Sequence, residues 1–294
     1  MRSDSTFQAR DGRQIGFADY GPEGGTPVLW CHGGPGSRYE PAWIVPDAVA
    51  AGLRIIAIDR PGYGLSTPHP GRTIADGADD VLQLADHVSV DRFVSVGVST
   101  GGAYALATAC RAPARVRGVL MCCAVTDMSW APGRATMHGP QVHAVWDAPD
   151  RDAAIAAAID AYGDGFGKLL DGGMATVLAP SDAEIFTDPA WMAAAMHGFP
   201  AMSTHGMQGY ADDRRADGRG WVDFDVDATQ CPVTVLHGTD DLLTTALHAR
   251  HTADVVPHAR LVLIENAGHF SIERHIVEQI RALLTRSRDD RSSK

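Results

Sequence analysis

Residues 97–101 read Gly-Val-Ser-Thr-Gly, a serine set between two glycines where an apolar run (93–98) meets an alanine-rich stretch (101–111). A strand that turns into a helix within one residue crowds its neighbours, so Gly97 and Gly101 leave room for a strained Ser99. The Ser99 hydroxyl would then project from the sheet edge. The N–H of Thr100 would stand unpaired at the helix N-terminus, where free donors and the helix dipole favour a developing anion. This is the position of a nucleophile.

Two further clusters supply what such a serine needs. Val28 to Ser37 is an apolar strand opening into His32-Gly33-Gly34-Pro35-Gly36, where backbone amides can approach a ligand closely. A second oxyanion donor usually comes from such an early loop, and the N–H of Gly34 is assigned that part. No G-K-[ST] follows and G-x-G-x-x-G is not matched, so the loop is not read as a nucleotide cradle. Later in the chain, His237-Gly238-Thr239-Asp240-Asp241 and Gly268-His269 each follow a strand. His269 is the expected base, since an unperturbed imidazole titrates near 6.5. Asp241 is the chosen acid that fixes its tautomer, with Asp240 and Asp127 left open as alternatives. The chain order Ser99, Asp241, His269 is that of one hydrolase architecture and of neither major serine-protease order.

The elements that must position these groups follow from periodicity. Strands are expected at 6–9, 15–19, 28–31, 54–59, 93–98, 118–123, 232–236 and 259–264, several of them continuous apolar runs suited to burial on both faces. Helices are expected at 74–87, 101–111, about 244–253 and 271–285, with a frayed tail after Arg286. The alternation implies a mostly parallel sheet with helices on its faces, an α/β fold of eight strands. From 125 to 228 the strand signal stops, and seven of the nine methionines and four of the six tryptophans gather there. The chain is therefore divided into a core (1–124 and 229–294) and an inserted helical cap (125–228).

Composition narrows the partners. The net charge of −11 speaks against nucleic acid and anionic lipid, and no apolar segment is long enough to span a bilayer. With no secretory leader at the start, a cytoplasmic protein is expected. The five cysteines are odd in number and lie in apolar runs, so they are read as small buried hydrophobes rather than disulfides. H-E-x-x-H is absent, and histidines such as His248 and His251 are placed at the surface, so no metal is expected and acyl transfer to water needs no cofactor. A small molecule is the expected partner, and assembly into a homo-oligomer is left open. The cap holds six basic and sixteen acidic residues, which suggests a preference for cationic or neutral substrates, although most of these charges read as solvated helix faces. Its methionines and tryptophans read as lid core, with a few facing Ser99 as an apolar wall for a hydrophobic acyl or alcohol group.

Together, His32 to Gly36, Asp59-Arg60-Pro61-Gly62-Tyr63-Gly64-Leu65-Ser66, the Ser99 turn, His237 to Asp241 and Gly268-His269 resemble the α/β-hydrolase superfamily, in particular its proline iminopeptidase-like branch with HGGPG. The resemblance implies a helical cap at the insertion, Ser99, Asp241 and His269 as triad, and the Gly34 and Thr100 amides as oxyanion hole. Those peptidases carry tryptophan where this chain has Thr100. Hydrolysis of a small, largely apolar ester, lactone or amide is therefore placed first. A proline iminopeptidase-like aminopeptidase and a catalytically silent ligand-binding receptor on the same fold are the alternatives.

Overall fold

The computed structural model describes residues 2–137, 140–168 and 178–292. One sheet is built from β1 (Arg2–Gln8), β2 (Gln14–Tyr20), β3 (Thr26–Cys31), β4 (Leu53–Ile58), β5 (Phe93–Val98), β6 (Val116–Cys122), β7 (Val233–Gly238) and β8 (Ala259–Ile264). The strands lie in the order β1-β2-β4-β3-β5-β6-β7-β8. β1 and β4 run antiparallel to β2, and all other pairs are parallel.

The central strands are apolar on both faces because both faces are covered. Leu29, Cys31, Phe93, Val119 and Met121 join one core with α2 (Ile74–His87) and α3 (Gly101–Arg111). Their alternating neighbours Val28, Trp30, Val94, Val96 and Leu120 join the other, against α1 (Val45–Ala50) and the C-terminal helix. A reciprocal cap starts α2: Thr73 Oγ1 accepts the Asp76 N–H (3.1 Å), and Asp76 Oδ2 accepts the Thr73 N–H (2.8 Å). No side chain caps the start of α3.

At the junction of β5 and α3 backbones approach closely. Ser99 takes φ 51°, in the left-handed region. A methyl group on Gly97 would lie 2.2 Å from the Gly101 carbonyl oxygen, and one on Gly101 would lie 2.0 Å from that of Cys31. Both glycines are thus required by backbone, which cannot step aside.

Between β6 and β7 the described chain is helical: α4 (Ala131–Thr136), α5 (Pro140–Trp146), α6 (Arg151–Tyr162), α7 (Pro180–Ile185), α8 (Pro189–Met202) and α9 (Gln208–Asp217). Met128, Met207, Trp146 and Trp221 are buried here, whereas Met192 and Met196 are exposed; Met174 lies outside the described residues. α10 (Ala246–Val255) and α11 (Ile276–Ser292) complete the chain. No helix among the described residues is long and apolar enough to cross a membrane.

Three expectations are corrected. The last helix begins as a 3-10 turn (Ser271–His275) and α11 runs on to Ser292 rather than fraying after Arg286, whose guanidinium reaches the Val233 carbonyl and Thr234 hydroxyl. His248 is fully buried, accepting the Thr126 N–H and meeting the Thr136 hydroxyl. Finally, α9 is not a solvated face: Asp212, Asp213, Arg214 and Asp217 are all buried in it.

The glycine contacts set a measurable expectation. Gly97→Ala or Gly101→Ala should lower unfolding free energy by about 3 kcal/mol, read as a drop in urea midpoint. Gly24→Ala, whose methyl meets nothing within 4 Å, should stay within about 0.5 kcal/mol of the parent. Equal midpoints for all three would contradict the steric account.

Candidate active site

The strongest pair in the site joins the loops after β7 and β8. His269 Nδ1 lies 2.7 Å from Asp241 Oδ2, while Asp241 Oδ1 accepts the N–H groups of Leu243 (2.9 Å) and Thr244 (2.8 Å). His237 Nε2 is 3.4 Å from the same Oδ2 and 2.6 Å from the Thr244 carbonyl oxygen. Burial works against the Asp241 charge, but the His269 imidazole and the hydrogen bonds from both histidines hold its carboxyl well below the usual range. Burial likewise disfavours an imidazolium at His269. The Asp241 carboxylate outweighs it and, with the Cys123 thiol, raises His269 well above its ordinary value. Asp240 accepts the Thr239 hydroxyl and Asp127 accepts the Ser129 and Trp221 N–H groups, so of the three acids Asp241 is the one on the ring.

Ser99 sits half-buried on the same rim. Its N–H donates to the Cys122 carbonyl (2.9 Å) and its carbonyl accepts the Val125 N–H (3.3 Å). That binds the serine to the segment carrying Cys123, whose thiol lies near enough to the His269 ring to act on it electrostatically. Among the described residues no hydrogen bond joins the Ser99 hydroxyl to the imidazole. Cys123 is completely buried, and burial pushes its thiol well above the ordinary cysteine range.

The glycine-rich loop after β3 lies beside Ser99. A methyl on Gly33 would stand 3.6 Å from Ser99 Cβ, and one on Gly34 would stand 2.9 Å from Thr100 Oγ1. Among the described residues the N–H groups of Gly34 and Thr100 make no hydrogen bond, which leaves two donors at the turn. The loop itself is held on both sides. Glu40 accepts the Gly33 N–H (2.8 Å), and Arg60 donates to the carbonyls of His32 and Gly33 (2.7 Å for the latter).

Several residues here carry no sequence motif of their own. Asp182, on α7, accepts three successive N–H groups from the histidine loop: His269 (2.9 Å), Phe270 (2.9 Å) and Ser271 (2.8 Å). Asp213, on α9, receives Arg60 (2.7 Å), Arg72 (2.6 Å), and the hydroxyls of Tyr63 (2.8 Å) and Tyr104 (3.1 Å). Burial opposes its charge, and Arg60 and Arg72 nonetheless keep its carboxyl far below the usual range. Its neighbour Arg214 donates through Nη2 to Thr100 Oγ1. The one sequence signal for these residues is the run Asp-Asp-Arg-Arg among the many charges of 125–228; nothing marks Asp182, and Cys123 reads as one more apolar strand residue.

A family model described as alpha/beta hydrolase fold matches residues 26–155. An uncharacterised hydrolase, YcgS of Bacillus subtilis, is 25% identical over 86% of this chain and 88% of its own. The proline iminopeptidase of Neisseria gonorrhoeae is 29% identical, but over 42% of each chain. Among solved structures, the enol-lactonase of Burkholderia xenovorans is 21% identical, covers 96% of this chain and 100% of its own, and superposes with a TM-score of 0.71. With its eight-stranded sheet, its sequence match across the first strand–helix repeats and its whole-chain likeness to such structures, the chain has the α/β-hydrolase fold.

Proposed function

We propose that the protein is a serine hydrolase that opens a small carboxylic ester, lactone or amide through an acyl-enzyme on Ser99. The observation that carries this reading is the buried Asp241–His269 pair on the same rim as a strained serine flanked by two free N–H donors. Kinship with enzymes called hydrolase and enol-lactonase supports the reaction class.

In the proposed cycle the Ser99 hydroxyl swings about its Cα–Cβ bond to His269, which takes the proton as oxygen attacks the carbonyl carbon. Asp241 keeps Nδ1 protonated and stabilises the imidazolium. The Gly34 and Thr100 amides receive the oxyanion, and His269 returns the proton to the leaving group. Water, activated by the same imidazole, then releases the acid. Residues 125–228 act as a lid, with Asp182 seating the histidine loop from above.

Cys123 offers a second reading, because its thiol lies near enough to His269 to contribute to raising it. Its complete burial and raised thiol favour a packing role. Ser99→Ala should reduce hydrolysis of 4-nitrophenyl acetate by at least about a thousandfold with the circular dichroism unchanged. Loss in Cys123→Ala with survival in Ser99→Ala would move the nucleophile to sulfur.

The base must be neutral to act, and its pKa is raised. Accordingly kcat/KM should fall as pH drops, with a midpoint above 6.5. Asp241→Asn removes the charge that raises it, so the surviving activity should be weaker by orders of magnitude and titrate at lower pH; an unmoved midpoint would show that another group controls the limb. Asp182→Ala should lower kcat about tenfold or more through misplacement of His269, with turnover at the parent level contradicting that seating role.

A further inference from the structure

Arg214 is 3% exposed and reaches from α9 to the two residues assigned to the oxyanion hole. Its Nη2 donates to Thr100 Oγ1 and would lie 3.1 Å from a methyl group on Gly34. We propose that Arg214 is a substrate-binding residue that receives a carboxylate carried close to the scissile carbonyl. This rests on the serine-hydrolase reading above and adds a negative charge to its substrate.

A guanidinium removed from water needs its donors answered, and one donor of Arg214 is not. Nε is buried without a hydrogen-bond partner. Asp217 Oδ2 stands 2.7 Å from Nη2, yet that oxygen makes no hydrogen bond, while Oδ1 accepts the Trp146 indole N–H (2.6 Å). Arg72 also has buried donors without a hydrogen-bond partner, Nε and Nη1, but it lies against Asp212 and Asp213 rather than beside the Ser99 turn. Arg60 meets Asp213 through two nitrogens and loop carbonyls, and Arg72 meets Asp213 and the Gly209 carbonyl. Among the described residues of this cluster, Arg60, Arg72, Arg151 and Arg214 face Asp212, Asp213 and Asp217, one cation in excess. A planar guanidinium with an open Nε donor in a water-poor site suits a carboxylate. The acidic balance of 125–228 does not oppose this, because its surface charges act at long range through screening salt, whereas Arg214 acts in contact.

The test compares mono-4-nitrophenyl succinate with its neutral counterpart, 4-nitrophenyl butyrate. The unmodified protein should show kcat/KM for the charged ester about tenfold to a hundredfold higher, mostly through KM. Arg214→Gln should erase that ratio, and Arg214→Lys should restore part of it. Succinate should inhibit butyrate hydrolysis competitively in the unmodified protein, a measurement that stands even where the variants fail to fold. Equal kcat/KM for both esters, or a Gln variant that loses kcat on both with the ratio intact, overturns the assignment; the latter places Arg214 at the oxyanion instead. Absence of Ser99-dependent turnover on either ester overturns the hydrolase reading itself, and this inference with it.

Discussion

A carboxylate with no access to water can remain charged if cations and hydroxyls answer it from several directions, and Asp213 is answered by two arginines and two tyrosines. Arg60 and Tyr63 come from the segment after β4, Arg72 from just before α2, and Tyr104 from α3. The one side chain therefore fastens α9 to three parts of the sheet layer. Removing a single partner from such a group typically costs about 3–5 kcal/mol, because the remaining charge is left stranded. The position of α9, of Arg214 beside the Ser99 turn, and of the loop whose carbonyls Arg60 holds all descend from this contact.

The same logic of holding from above recurs at the histidine. Asp182 receives three consecutive backbone N–H groups of the loop that carries His269, so α7 does for that loop what α9 does for the Ser99 turn. Beneath them the sheet supplies rigidity. Gly97, Gly101 and Cys31 pack backbone against backbone, and a turn so confined presents Ser99 with little freedom except rotation of its side chain. The helical segment and the sheet thus share the work of preorganisation, with hydrogen bonds from one and steric confinement from the other.

Much of this was legible in the chain. The run at 93–98 matches β5 residue for residue, because a strand covered on both faces tolerates little else there, and 259–264 matches β8, the half-buried edge strand. The glycines around Ser99 carried their meaning in the same way, since a missing side chain beside a serine at a strand end has few other uses. Asp241 and His269 were legible as types at strand ends, and the structure brings them to hydrogen-bonding distance. The charged run in α9 misled, because Asp-Asp-Arg-Arg looks the same whether water or arginines surround it. His248 misled likewise: burial of a neutral imidazole depends on Thr126 and Thr136, far away in sequence.

What the sequence determined by itself was local: the alternation of strands and helices, the place where that rhythm breaks, and the residue types at strand ends. Each depends on near neighbours, through side-chain periodicity and the sterics of a single turn. What tertiary structure alone decided was which distant groups share a dry space, namely Asp182 with the backbone of 269–271, Asp213 with Arg60 and Arg72, and Arg214 with Gly34 and Thr100. Electrostatic energy depends on separation and on exclusion of water, and neither quantity is written along a chain.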